Sequence, residues 1–465
     1  MRLLHTKDFV FRDFFDAKIP PYAILSHRWS DEEVSYRDFL EQKAQVLSGG
    51  YKGYGWTKIL KACEKAWNER LDWVWIDTCC IDKSSSAELS EAINSMYKWY
   101  RGSFTCFVFL PDVHDLERCT CKLKSRKTHG ETTFKTFYVE ELKRSTWFTR
   151  AWTLQELLAP WNVLFYNADF RCVGTLENLA EHVSEASHIP MEFLSAGEVA
   201  PMSQRRFCPT PVHLASVAQR MGWAARRQAS RSEDIAYSLL GIFDVNMPLL
   251  YGEGERKAFR RLQKEIIASS PDESIFCWSD EGKKYFEKES ILAATPGCFA
   301  SSTGVKFNAA CWSGVEMRPR CEIFNRGIRF DVIMRTESPG RKGDNAASTR
   351  SDNKTSPRQL VDRFILPLNC SHVQSRGCFA LLVFTKHSRK SSRDGHEWVL
   401  ESCRTADLLY GPPLVHTARE SWSHYHDYCW RSMKQNGLEV EGVPLAEQLL
   451  DAAPDTVSCQ LYLEI

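Results

Sequence analysis

Neither sign of charge predominates in this chain of 465 residues, whose formal net charge is +1. A global field that would draw it to nucleic acid or to an anionic membrane is therefore absent. It also lacks any run of about 20 apolar residues, the length a membrane-spanning helix needs. The opening residues, Met1-Arg-Leu-Leu-His-Thr-Lys-Asp8, are charged where a signal peptide requires an apolar stretch. No GxxxxGK[ST] occurs, which excludes a P-loop phosphate cradle, and Gly252-Glu-Gly254 and Asn325-Arg-Gly327 lack strand-turn-helix context. Internal repeats are missing as well. The 17 cysteines are scattered without a secretory signal, so they are expected to be reduced, mostly buried thiols of a cytoplasmic protein.

What is present is ordinary for a globular chain: 43% hydrophobic and 26% charged residues, over a length that suggests two or three domains. Residues 20–165 alternate short apolar runs with helical patterns. Tyr22–Ser26, Trp73–Ile76, Phe104–Leu110 and Trp161–Tyr166 read as strands. Helical spacing joins Trp56, Ile59, Leu60, Cys63 and Trp67, then Leu89, Ile93, Met96, Tyr97 and Tyr100, and a further helix is expected near 147–159, closed by Pro160. Strands alternating with helices, and apolar on both faces, predict a covered parallel sheet with right-handed crossovers. Residues 170–280 are helical in pattern. Beyond about 290, short alternating runs at Glu322–Met334, Arg363–Leu368, Cys378–Thr385, Trp398–Ser402 and Cys459–Ile465 predict an antiparallel β module interrupted by a disordered loop at Gly340–Arg358. The expected domains are thus 1–185, 186–280 and 290–465.

Three segments carry candidate chemistry. Ser26, His27, Arg28 and Trp29 follow the first strand, at the sheet edge where open parallel sheets bind ligands; solvated turn residues beside one packing Trp would look the same. Asp77 ends the second strand, placed either to anchor a ribose hydroxyl or to pair with Arg150. In the third, Ser145–Pro160, a helical wheel sets Ala151, Leu154, Leu157 and Leu158 on one stripe, with Glu156 and Trp152 sharing a face away from it. A carboxylate beside an aromatic ring suits a nucleotide; a solvated glutamate near a packed Trp is the bland alternative. Arg150 falls on the leucine side, where Asp77 or Asp82 would have to neutralise it. Nothing orients a base toward Cys79 or Cys80. The spacing of His114, Cys119, Cys121 and His129 is not that of a structural zinc site, so no metal is expected.

Tyr22–Trp29, Trp73–Lys83 and Trp147–Pro160 resemble the three signature blocks of the heterokaryon-incompatibility (HET) domain of filamentous fungi, and Arg231–Gly254 is similar to the run that commonly follows it. More distantly, the order of Ile24–Asp31, Val74–Asp77 and Trp152–Leu157 resembles that of TIR domains, in which NAD-cleaving members carry a catalytic glutamate where this chain has Glu156. Two departures stand: Thr153 replaces a cysteine of that block, and the connection at 112–140 is long. The resemblance implies a flavodoxin-like, TIR-like α/β domain with a helical extension and a C-terminal β-rich module. It also implies a cell-death trigger of innate-immune type that cleaves NAD as substrate and needs no cofactor. Glu156 would be catalytic, with Ser26, His27, Arg28, Trp29, Asp77 and Trp152 binding substrate. Self-association and an unidentified protein trigger are the expected partners, with neither membrane nor bulk nucleic acid. The rival expectation is a non-enzymatic adaptor that signals by assembly.

Overall fold

In the computed structural model, residues 1–15, 18–50, 53–114, 139–194, 211–279, 291–307, 322–324, 327–334, 363–372, 379–386, 403–411 and 457–463 are described. They form two compact units, the first made of Met1–Ala215, Arg220–Glu265 and Thr295–Ala300. Its centre is a seven-stranded sheet: β1 (Arg2–His5), β2 (Phe11–Asp13), β3 (Tyr22–His27), β4 (Trp73–Trp75), β5 (Thr105–Phe109), β6 (Val163–Tyr166) and β7 (Cys172–Thr175). They lie in the order β2-β1-β4-β3-β5-β6-β7. The four inner strands pair in parallel, as the sequence predicts. The sheet as a whole is mixed, however, because β1 pairs antiparallel with β2 and β4, and β7 antiparallel with β6. The period-based reading missed these edges because each is only three or four residues long.

Every residue of β3 and of β5 is buried, which explains their unbroken apolar texture. Between β3 and β4 run α1 (Tyr36–Leu47) and α2 (Tyr54–Asn68). The first was not legible as a helix: it buries only Phe39 and Val46, and it starts on a capping box between Ser35 and Asp38. Phe39 stacks on Trp56 of α2, with ring centroids 4.8 Å apart, so both helices cover one face. On the way to β5 comes α3 (Ser86–Gly102), capped by Ser85, whose hydroxyl accepts from Glu88 N; the Glu88 carboxylate goes instead to Asp82 N and Arg2. Right-handed crossovers place α3 on the opposite face.

After β5 the chain continues through α4 (Val139–Arg144) and α5 (Thr153–Leu158). The single helix expected at 147–159 does not form. Residues Thr146–Thr149 make a 3₁₀ turn, and the backbone then extends at Arg150. The reason is a pairing that a helical wheel ignores: Gln228 N donates to Thr149 O at 2.7 Å, and Ala151 N donates to Gln228 O at 2.8 Å. Further helices are α6 (Leu176–Ser187), α7 (Val217–Ala224), α8 (Asp234–Tyr237), α9 (Leu240–Phe243) and α10 (Glu255–Ser269).

The second unit comprises Ser216–Gln219, Ile266–Ala294 and Ser301–Ile465. Its described strands are β8 (Val305–Phe307), β9 (Glu322–Phe324), β10 (Gly327–Met334), β11 (Arg363–His372), β12 (Phe379–Lys386), β13 (Cys403–Gly411) and β14 (Val457–Leu463). They make two antiparallel sheets, β14-β10-β9 and β13-β12-β11-β8. The loop at 340–358, the run Trp398–Ser402 and most of the 112–140 connection lie outside the described residues. Among the described residues no helix is long and apolar enough to cross a membrane.

One packing contact of the first unit is especially tight. Gly241, in α9, lies so close to Tyr97 of α3 that an added Cβ would collide with Tyr97 Cβ and sit 2.7 Å from its Cγ. Gly241→Ala is therefore expected to destabilise the fold by about 1–3 kcal/mol or more. Urea unfolding followed by tryptophan fluorescence checks this, and a midpoint equal to the parent's would show that α9 can back away from α3 without cost.

Candidate functional site

The parallel strands run second-first-third-fourth, so the order reverses between β3 and β5. Connections leave these two strands toward opposite faces, and in open α/β sheets the carboxyl ends at such a reversal are where ligands bind. The last two residues of β3 sit there and, because side chains alternate along a strand, they face opposite sides of the sheet. Ser26 meets α3 and α5; His27 meets α2.

On the α5 side, the Ser26 hydroxyl donates to Glu156 Oε2 and accepts from Trp147 Nε1 at 2.9 Å. All three residues are buried. The Tyr100 hydroxyl, which donates to Leu25 O at 3.0 Å, lies beside them, and Cys106 Sγ lies 3.9 Å from Glu156 O. Glu156 is 6% exposed. Burial pushes its carboxyl up to about 8 and the nearby Asp77 charge adds to this, against the pull of the Ser26 and Tyr100 hydroxyls and of Arg150. At neutral pH the carboxyl is therefore largely protonated. The solvated-glutamate alternative does not hold, nor does a polar outer face on α5, since Thr153, Leu154, Gln155 and Leu157 are buried as well.

On the α2 side, His27 is held between carboxylates, its Nε2 3.7 Å from Glu33 Oε2 and 3.7 Å from Asp77 Oδ1. These separations are too long for hydrogen bonds, and neither ring nitrogen has a described partner. Burial and then the Lys58 ammonium lower the His27 pKa, so the ring is neutral. Lys58, although buried, is charged: it grips both Glu33 oxygens, at 2.5 and 2.6 Å. Burial alone would raise Glu33; since His27 is neutral, Lys58 is the cation that holds that carboxyl well below its ordinary value.

Asp77, just beyond β4, joins the two sides. Its Oδ2 accepts from Trp29 Nε1 at 2.6 Å, while its charge reaches both His27 and Glu156. Lys83 Nζ sits 3.5 Å above the Trp29 ring, which is 48% exposed. Trp29 is thus clamped at its N–H and over one face while keeping much of its surface in solvent. Arg28 is exposed.

The structure therefore brings Ser26 to Glu156, and His27 and Trp29 to Asp77. It joins Trp152 to Glu156 by no hydrogen bond among the described residues: Trp152 lies beside Asp234 and lowers its pKa against burial, and Asp234 accepts from Tyr251 Oη at 2.9 Å. Arg150 departs further from expectation. It is half-buried, bonds Ser230 Oγ at 3.1 Å, and pairs with neither Asp77 nor Asp82. Its extended backbone takes it off the leucine stripe. Residues that sequence reasoning missed are Glu33, Lys58, Tyr100, Trp147, Lys83 and Arg227. Trp147 and Lys83 stand inside the signature blocks and Tyr100 was read only as an apolar helix position. The buried Lys58 and Arg227 carry no local signal.

Comparison with known proteins bears on this region directly. Residues 22–156, from the first residue of β3 to Glu156, match the family described as heterokaryon incompatibility protein (HET). Residues 257–334 match a domain of unknown function (DUF8212). The chain is 40% identical over 257 residues to the vegetative incompatibility protein HET-E-1 of Podospora anserina, which covers 55% of this chain but 17% of that protein. No solved structure matches.

Two outcomes follow for stability. Lys58→Met leaves the largely buried Glu33 carboxylate without its cation and should cost up to about 3–5 kcal/mol, read as a lowered denaturation midpoint. An unchanged midpoint would mean that water reaches Glu33. Glu156, raised from its ordinary 4.5 to about 8, acts with the opposite sign from a salt-bridged acid. The unfolded chain releases this proton near pH 4.5 and the folded one near 8, so its contribution is full below the lower value and is lost as pH rises through the window. Glu156→Gln should therefore flatten the fall in stability between those pH values, measured by denaturant titration at several pH. A slope identical to the parent's would mean that Glu156 is ionised throughout.

Proposed function

We propose that this chain is a cell-death effector of the heterokaryon-incompatibility, innate-immune type, acting in the cytoplasm, and that its α/β unit is TIR-like and cleaves NAD. The relative's printed name concerns vegetative incompatibility, which supports the biological half of this reading. The second-first-third-fourth parallel order supports a flavodoxin-like fold for the HET domain. The observation that carries the chemical half is the Ser26–Glu156 hydrogen bond at the point where the strand order reverses, beside a clamped and half-exposed Trp29.

In this reading the nicotinamide–ribose bond breaks through an oxocarbenium-like state, nicotinamide leaves neutral without needing a proton, and water adds to the anomeric carbon, giving its proton up to solvent. Trp29 stacks on a ring of the substrate, Arg28 meets the pyrophosphate and Asp77 accepts from a ribose hydroxyl. Glu156 holds the ribose and stabilises the positive charge that develops on it. A protonated carboxyl cannot do the latter. The pyridinium cation of bound NAD favours the ionised form, so substrate binding itself would draw the proton off Glu156. Self-association of the chain, under an unidentified protein trigger, would then supply the gating.

The rival adaptor reading draws support from one observation: Glu156 is buried, with an oxygen already bonded to Ser26, as a purely structural residue would be.

The test is NAD consumption by the purified chain, with and without induced clustering. Glu156→Gln keeps the shape but removes the charge, a loss commonly worth about 3–4 kcal/mol in such transition states, so turnover should fall by roughly two to three orders of magnitude. The parent's kcat/KM should rise with pH up to about 8 as Glu156 ionises. If cells expressing Glu156→Gln still die while their NAD stays at its resting level, the adaptor reading replaces this one.

A further inference from the structure

On the Glu156 side of the sheet, Arg227 and Arg150 have no ion-pair partner among the described residues, and the exposed Arg28 lies just past the end of the same strand as Ser26. Arg227 is 6% exposed, its Nη1 donating to Arg150 O at 2.9 Å and to Thr153 Oγ1 at 2.9 Å, and its Nε to Trp223 O at 3.2 Å. Its Nη2 has no hydrogen-bond partner among the described residues. Arg150 is tied to Arg227 through that carbonyl, and its own side chain reaches only the neutral Ser230. Arg28 follows Ser26 by two residues, and Ser26 is bonded to Glu156 on the same short helix as Thr153. None of the three lies within 4.0 Å of a described carboxylate.

This gathering is costly as it stands. Buried guanidinium groups ordinarily come with a carboxylate, because an uncompensated charge pays its full desolvation penalty. Arg150 is depressed first by burial and then by the repulsion of Arg28, which places two like charges near each other. The nearest acids offer little relief: Glu156 is mostly protonated at neutral pH, and Asp234 is engaged by Trp152 and Tyr251. Such a cluster is short of negative charge. A phosphoryl group supplies it in the form that guanidinium binds best, with several strong acceptor oxygens on one centre.

We propose that Arg28, Arg150 and Arg227 form a receptor for the phosphoanion of the substrate beside Glu156, with Arg150, linked to the other two, deciding specificity. The identity of the substrate rests on the NAD reading above; the existence of the anion site does not. Arg227 brings the rigid, desolvated donor and Arg28 the exposed, steering one. The arrangement selects a pyrophosphate-bearing nucleotide over the bare nucleoside and seats its ribose against Glu156.

The full chain and its Arg28→Gln, Arg150→Gln and Arg150→Lys variants test this, with inorganic pyrophosphate and ADP-ribose as calorimetric probes. The parent should bind both, and each glutamine variant should bind about tenfold or more weakly, with Arg150→Lys intermediate because it keeps charge but loses the fork. The preference for NAD over nicotinamide riboside, which lacks the pyrophosphate, should fall by a similar factor through KM. Should Arg150→Gln fail to fold, the exposed Arg28→Gln decides alone. Binding of pyrophosphate that both glutamine variants retain, or none by the parent, overturns the anion site even if NAD is cleaved. Loss of pyrophosphate binding in the variants of a chain that leaves NAD intact upholds the anion site and sinks the NAD reading.

Discussion

β3 is buried along its whole length, yet it ends in Ser26 and His27, and those two polar side chains dictate what must surround them. A hydroxyl withdrawn from water without a partner costs roughly 1–3 kcal/mol, so Ser26 needs both a donor and an acceptor within reach. Trp147 and Glu156 provide them, which draws the 3₁₀ turn and α5 down onto the strand end. The opposite face obeys the same rule with charges. His27 is admitted there because Glu33, Lys58 and Asp77 surround it, and Lys58 in turn is admitted because Glu33 takes its ammonium. The polar end of a single strand thereby fixes the positions of α2, α5 and the loop after β4.

This constraint also explains why the segment following the HET match is joined to it closely. The extended residue Arg150 that precedes α5 is held by the pairing of Gln228 with Thr149 and Ala151, and Arg227 bonds Arg150 O and Thr153 Oγ1 in the same turn. Asp234 accepts from Tyr251 Oη and lies beside Trp152. Its neighbour Glu233 accepts from Gly252 N at 2.8 Å and Gly254 N at 3.0 Å, where φ of +99° and +83° requires glycine. The run Arg231–Gly254 is thus a closed hydrogen-bonded unit whose acidic pair grips a glycine turn at one end and the third signature block at the other.

Periodicity made the inner strands and the longer helices legible, because β3, β5, α2 and α3 each bury residues at the spacing their type demands. It failed where a partner distant in sequence overrode local pattern. The wheel assumed one helix through Arg150, and a pairing 78 residues away at Gln228 broke it. The first signature block gave Ser26 and the third gave Glu156, but nothing local told that they touch. Lys58 looked like any solvated lysine of an amphipathic helix, since a buried ion pair is visible only from both ends at once. Arg227, in a stretch of several arginines, was hidden for the same reason.

The protonation of Glu156 ties the structural and chemical roles of this residue together. With the site free of ligand, a neutral carboxyl is the cheaper occupant, because an ionised one would pay for burial with only a hydroxyl shell and distant arginines in return. The arginines, for their part, stay uncompensated so long as that proton remains. A ligand carrying a cationic ring and a phosphoanion relieves both deficits together: its ring charge favours the carboxylate, and its phosphate neutralises the guanidinium cluster. Neither half does so alone. A bare anion leaves Glu156 protonated, and a bare cation is repelled by Arg28 and Arg150. On the proposed reading, the same buried groups that hold the strand end together would become reactive only when a molecule of both charges is bound.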